Sequence, residues 1–137
     1  MIRINGSDYK KLTELIFSLL EYSSSFSRNV YSSNGKKIKF NESESIFLFH
    51  FYNSIDSLSD LLKHLLDLQL KPDCEINDFL IKYNYESLNV LQKLLSDEQE
   101  RINKGIKDTE LTRYWQKVFL LNFKSCLDKA LELFITD

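Results

Sequence analysis

Apolar residues recur at steps of three and four along almost the whole of this 137-residue chain. That rhythm gathers them on one side of an α-helix. In the first part of the chain Leu12, Leu15, Ile16, Leu19, Tyr22, Phe26 and Val30 keep it unbroken. Ser7 is a good N-cap just ahead, with Asp8 well placed in the first turn. The rhythm runs into NVYSSNGKKIKF, Asn29 to Phe40, the one stretch where a strand has a case. Asn34-Gly35 there is either a left-handed helix stop or the turn of a β-hairpin. A hairpin needs strict alternation, so the spacing favours helix to about Ser33. KKIKF then becomes a short extended connector, pinned to the body by Ile38 and Phe40.

The second helix is expected from Asn41, with Glu44 three residues on as in a capping box. It should stop near Leu70, since Pro72 disfavours helix just before it. Phe47, Phe51, Ile55, Leu58, Leu62, Leu65 and Leu66 form its buried stripe. A third helix carries Ile76, Phe79, Leu80, Tyr83, Leu88, Leu91, Leu94, Leu95 and Ile102 to a stop at Gly105, with YNYES as a place where it breaks or bends and Ser87 as a fresh cap. A fourth is expected from Asp108 or Thr109 almost to Asp137, on Leu111, Trp115, Val118, Phe119, Cys126, Ala130 and Leu133. Four helices of this length, each about 37 Å long, joined by short connectors, predict neighbours that run antiparallel. The fold class is all-α: an up-down-up-down four-helix bundle in a single domain, residues 1–137, with a short extended connector between helices one and two.

Chemistry is sparse. His50 and His64 both lie on helix two, about 21 Å apart along its axis, so they cannot share a metal within one chain. Cys74 and Cys126 have no Cys-x-x-Cys partner, and two lone thiols are most often core residues. Phosphate-binding glycine loops, nucleophile elbows and His-Glu-x-x-His are missing. None of the four arginines precedes a histidine with four to six residues between them, the spacing used by some helical ribonucleases. No metal, no cofactor and no enzymatic activity are therefore expected.

Apolar runs are too short to span a bilayer, and MIRINGSDYKK lacks the order of a signal peptide. A cytoplasmic protein without membrane contact is the expectation. The net charge of −2 gives no global pull toward nucleic acid. A local basic cluster, Arg28, Lys36, Lys37 and Lys39, interleaves with Tyr31 and Phe40 and is the alternative, nucleic-acid-binding reading. Ala130 is the only alanine, and lysines outnumber arginines fourteen to four. Alanine is the best helix former, so its scarcity points to AT-rich coding: a low-GC bacterium, or a phage or plasmid living in one.

The surplus of apolar positions carries more information. Projected at 100° per residue, helix two places Phe49 opposite its core face and Tyr52 toward the flank. On helix four, Leu120, Leu127 and Leu131 form a second stripe beside the first, with Asn122 set within it. Such arcs are covered either by a central position in the bundle or by a partner. The first alternative has KKIKF or the N-terminal MIRI cover Phe49. The second makes Phe49, Tyr52, Leu120, Leu127 and Leu131 contact residues, with Glu98, Glu100, Arg101 and Lys104 as a polar rim. On that reading the protein is a non-catalytic protein–protein interaction module, a homodimer, and an inhibitor, immunity protein or adaptor encoded by a phage or mobile element.

Overall fold

The computed structural model describes residues 1–31, 40, 42–71, 73–103 and 120–137, excepting the side chains of residues 29–31, 101–103 and 120. Among these, helices α1 (Tyr9–Tyr31), α2 (Glu42–Leu70), α3 (Asp78–Asn103) and α4 (Leu120–Glu132) pack with a small two-stranded ribbon, β1 (Ile2–Ile4) and β2 (Phe134–Thr136). The chain is all-α in class, and its helices pack as a bundle. α2 lies against α1 and α3, and α4 closes the ring against the same two helices. Cross-helix pairs give the directions. Thr13 meets Gln69 while Ser27 meets Tyr52, so α1 and α2 are antiparallel. Ser54 meets Ser87 while His64 meets Asn77, so α2 and α3 are antiparallel too.

The core is formed by the periodic residues. Leu12, Ile16, Leu19 and Phe26 of α1 are buried, as are Phe47, Phe51, Leu58 and Leu65 of α2. Phe51 is the hub: its ring lies 5.4 Å from Phe26, 5.7 Å from Phe47 and 5.8 Å from Phe123. The Phe26 contact is edge-on, the geometry favoured by the ring quadrupole. A polar strip crosses the α2–α3 seam. Ser57 Oγ donates to Asn84 Oδ1 at 2.9 Å, and Asn84 Nδ2 donates to the Leu80 carbonyl at 2.9 Å. The Ser54 and Ser87 hydroxyls pair at 2.7 Å. Ser87 is therefore a cross-helix contact rather than a helix cap, and α3 runs through YNYES without a break.

Helix α3 is capped from both sides. The Asn77 side chain accepts from the Leu80 N–H at 3.0 Å, the usual N-cap bond. The Asn77 N–H donates to His64 Nε2 at 2.9 Å, which fastens the α2–α3 turn to α2. His64 thus has a structural partner on another element.

Three expectations about the ends require correction. Ser7 is not the cap of α1; it lies in a short 3-10 turn, Gly6–Asp8, that leads into the helix. The last helix stops at Glu132 instead of continuing almost to Asp137. Among the described residues strands occur at Ile2–Ile4 and Phe134–Thr136, where the sequence reading expects none. β1 and β2 pair antiparallel, Ile2 with Thr136, Arg3 with Ile135 and Ile4 with Phe134. Alternation does the rest: Ile4 and Phe134 point into the core, and Arg3 points outward to Asp137 at 3.3 Å. The expected helix end at Ser33, the connector, the stop at Gly105 and the start of helix four lie outside the described residues.

Candidate functional site

The first turns of α2, SIFLFHFY, divide their apolar residues between two faces. Phe47, Leu48 and Phe51 enter the core, while Ile46 and Phe49 face outward; Phe49 remains 65% exposed. MIRI does not cover it, since those residues form β1 against β2 and α3. The Phe49 ring stands edge-on to His50 at 5.5 Å.

Helix α3 divides in the same way. Ile81, Asn84, Leu88, Leu91 and Leu95 are buried. On the other side Phe79, Tyr83 and Val90 are exposed, with Glu86 between them. Residues four, seven and eleven apart share a helix face, so the four form one stripe. Phe79 and Tyr83 stack at 6.4 Å. Antiparallel packing brings this stripe beside Phe49. Between the two helices lies an open hollow of about 270 Å³, lined by Phe49, His50 and Asn53 from α2 and by Tyr83, Glu86, Ser87 and Val90 from α3. A second hollow of about 440 Å³ adjoins Ile46 and Leu94. The result is an apolar groove along the α2–α3 seam with a few polar groups at its edge.

The other expected contact residues are distributed differently. Leu127 and Leu131 are buried within the protomer, so they do not present a second surface stripe. Helix α4 packs against both α1 and α3 and receives β2 at its end, which occupies a wide apolar arc. Asn122 is exposed rather than set in a buried stripe. Tyr52 is half-buried: its ring lies 5.1 Å from Phe51 and its hydroxyl is 2.9 Å from Ser27 Oγ, so it ties α2 to α1. Glu98 is buried and belongs to no rim, whereas Glu100 is exposed. The side chains of Leu120 and Arg101, and all of Lys104, lie outside the described residues. Of the basic cluster, Arg28 is exposed in the last turn of α1; Lys36, Lys37 and Lys39 lie outside the described residues.

Phe79, Tyr83 and Val90 were not expected at the surface, although the signal is present. On the 100° projection that isolates Phe49, Ile81, Leu88, Leu91 and Leu95 cluster on one side of helix three, and Phe79, Tyr83 and Val90 fall roughly opposite.

The groove presents an apolar lining with the hydrogen-bonding side chains of His50, Asn53, Tyr83, Glu86 and Ser87. Among the described residues no group of three or more metal-ligating side chains converges. Burial pushes the Cys126 thiol above its ordinary range, partly offset by Lys129, which is the opposite of an activated nucleophile. Its Sγ lies 3.4 Å from the Leu15 carbonyl, donating to it. No described helix is long and apolar enough to cross a membrane. No protein-family model matches the chain, and no curated protein or solved structure matches it.

Proposed function

We propose that this protein is a non-catalytic interaction module that works by docking another protein on the α2–α3 groove. The observation that carries this reading is the outward placement of Phe49, which lines the hollow, and of Phe79, one helical turn before the hollow begins at Tyr83; they are the two most exposed phenylalanines of the described residues. Large aromatic side chains are costly to leave in water and dominate interface energetics when buried. The rim chemistry suits a protein partner: His50, Asn53, Glu86 and Ser87 offer donors and acceptors around an apolar centre. AT-rich residue usage and a small helical domain suit an inhibitor, immunity protein or adaptor encoded by a phage or mobile element.

Gel filtration of a native extract tests the reading. The chain should migrate well above its 16.2 kDa mass, and Phe49→Glu should return it to the position of a free protomer. Migration as a free protomer before any substitution would refute it.

A further inference from the structure

We infer that the partner on this groove is a second copy of the same chain, seated so that Phe79 of each protomer enters the α2–α3 hollow of the other. This deepens the interaction reading above and rests on it. Three features of the face support self-association. The first is that one surface carries both a projection and a recess. Phe79 is 77% exposed at the start of α3, and the hollow begins one helical turn further on at Tyr83 and ends at Val90. Phe79 and Val90 stand about 16 Å apart along the helix axis at 1.5 Å per residue. A two-fold axis passing between them, near Tyr83, exchanges projection and recess, which is the self-complementarity a closed dimer requires.

The second feature is size. A hollow of about 270 Å³ has room for one phenyl ring, and its walls already supply Phe49, Tyr83 and Val90 as apolar neighbours. The third is area. Ile46, Phe49, Phe79, Tyr83 and Val90 expose between 44% and 77% of their surface, about 500 Å² in all for side chains of this size. With the polar rim of His50, Asn53, Glu86 and Ser87, the face approaches the ~800 Å² per partner found in stable interfaces. The charge is compatible with contact between identical faces. Among the described residues Glu86 is the one acidic residue lining the hollow, and Lys82 accompanies it at 3.9 Å.

Sedimentation equilibrium or light scattering on the purified chain at micromolar concentrations decides the matter. The expected result is a reversible dimer whose dissociation constant rises at least about tenfold, the scale of a hot-spot loss, in Phe79→Glu and again in Val90→Glu. Both residues are exposed, so at dilutions where the parent is monomeric the thermal melts of these variants should follow that of the parent. A second measurement gives the geometry. In a Cys74→Ser background, Phe79→Cys mixed with Asn53→Cys should form a disulfide between chains, whereas Phe17→Cys, on the exposed side of α1, should not pair with either. A purified chain that stays monomeric at these concentrations overturns the second-copy inference. If such a chain still enters a larger complex in native extract, and Phe49→Glu abolishes that complex, the interaction reading stands with a different partner. If it is a free protomer in both, the two readings fall together.

Discussion

The α2–α3 groove exists only because the two helices are held in one register, and the Ser57–Asn84 pair is the feature most able to hold it. Asn84 is fully buried and makes two hydrogen bonds, accepting from Ser57 Oγ at 2.9 Å and donating to the Leu80 carbonyl at 2.9 Å. In Asn84→Ala both are lost, at about 1 kcal/mol each. The vacated amide leaves roughly 25 Å³, worth about 0.6 kcal/mol at ~24 cal/mol per Å³. Less roughly 0.5 kcal/mol regained because alanine favours the helix, the expected cost is about 2 kcal/mol. Ser57→Ala strands the Asn84 oxygen in a dry site, about 1.5 kcal/mol, less roughly 0.5 kcal/mol regained because alanine favours the helix. The double variant should cost about 2 kcal/mol, short of the summed single effects by about 1 kcal/mol, because the shared bond is counted once. Urea unfolding followed by circular dichroism measures all three. A coupling indistinguishable from zero, or an Asn84→Ala cost below about 0.5 kcal/mol, would falsify the claim that this pair sets the register.

Three other outcomes follow from the packing. Phe51→Ala removes the ring that touches Phe26, Phe47 and Phe123, and should destabilise the domain by about 3–5 kcal/mol in the same assay. Ile4→Ala should cost about 2–3 kcal/mol because Ile4 is buried beneath the terminal ribbon, whereas Asp137→Asn should change stability by under about 0.5 kcal/mol, since its ion pair with Arg3 is half-exposed. Burial raises the Cys126 thiol pKa, so its contribution to stability is complete below the ordinary thiol pKa of about 8.5 and is lost as pH rises through the higher folded value. Chemical unfolding across that window should show the decline in the parent and not in Cys126→Ala, and a thiol reagent should label Cys74 well before Cys126.

Helix positions were legible because periodicity is local, and the end of α2 before Pro72 needs nothing beyond the geometry of proline. The ribbon was not legible. Strands of three residues are too short for alternation to be distinguished from chance, and Ile4 finds Phe134 only through pairing across the whole chain. On helix four the width of the apolar arc was visible, but its cause was not. Leu127 and Leu131 are apolar because α1 and α3 both press on α4, and the number of neighbours a helix has is a property of the assembled bundle. Helix three shows a third kind of limit. Its inward and outward faces are both periodic, so steps of three and four admit Tyr83 beside Leu88, and only the 100° projection separates the two faces. The choice between them follows from Asn84, whose amide is satisfied at the seam with α2.

That choice bears on function. Rotating α3 by about half a turn would bury Phe79, Tyr83 and Val90, but it would expose Ile81, Leu88, Leu91 and Leu95 together with Asn84. The native arrangement instead keeps an amide inside, where it bonds Ser57, and leaves two stacked aromatic rings in water. Local choices that run against burial concentrate at functional sites, because consistency elsewhere is what makes a sequence fold to one state. The amide accounts for half of the arrangement by fixing the helix face. Among the described residues the outward rings have no such account within one protomer: Phe79 stacks on Tyr83 of its own helix, and Phe49 meets the adjacent His50 edge-on. The proposed reciprocal dimer would supply the missing term, since it would bury both rings without turning the helix. It also makes a distinction that stability measurements can detect: Phe79→Ser should leave the unfolding free energy of the dilute protomer within about 0.5 kcal/mol, and should lower the midpoint only at concentrations where the parent is dimeric.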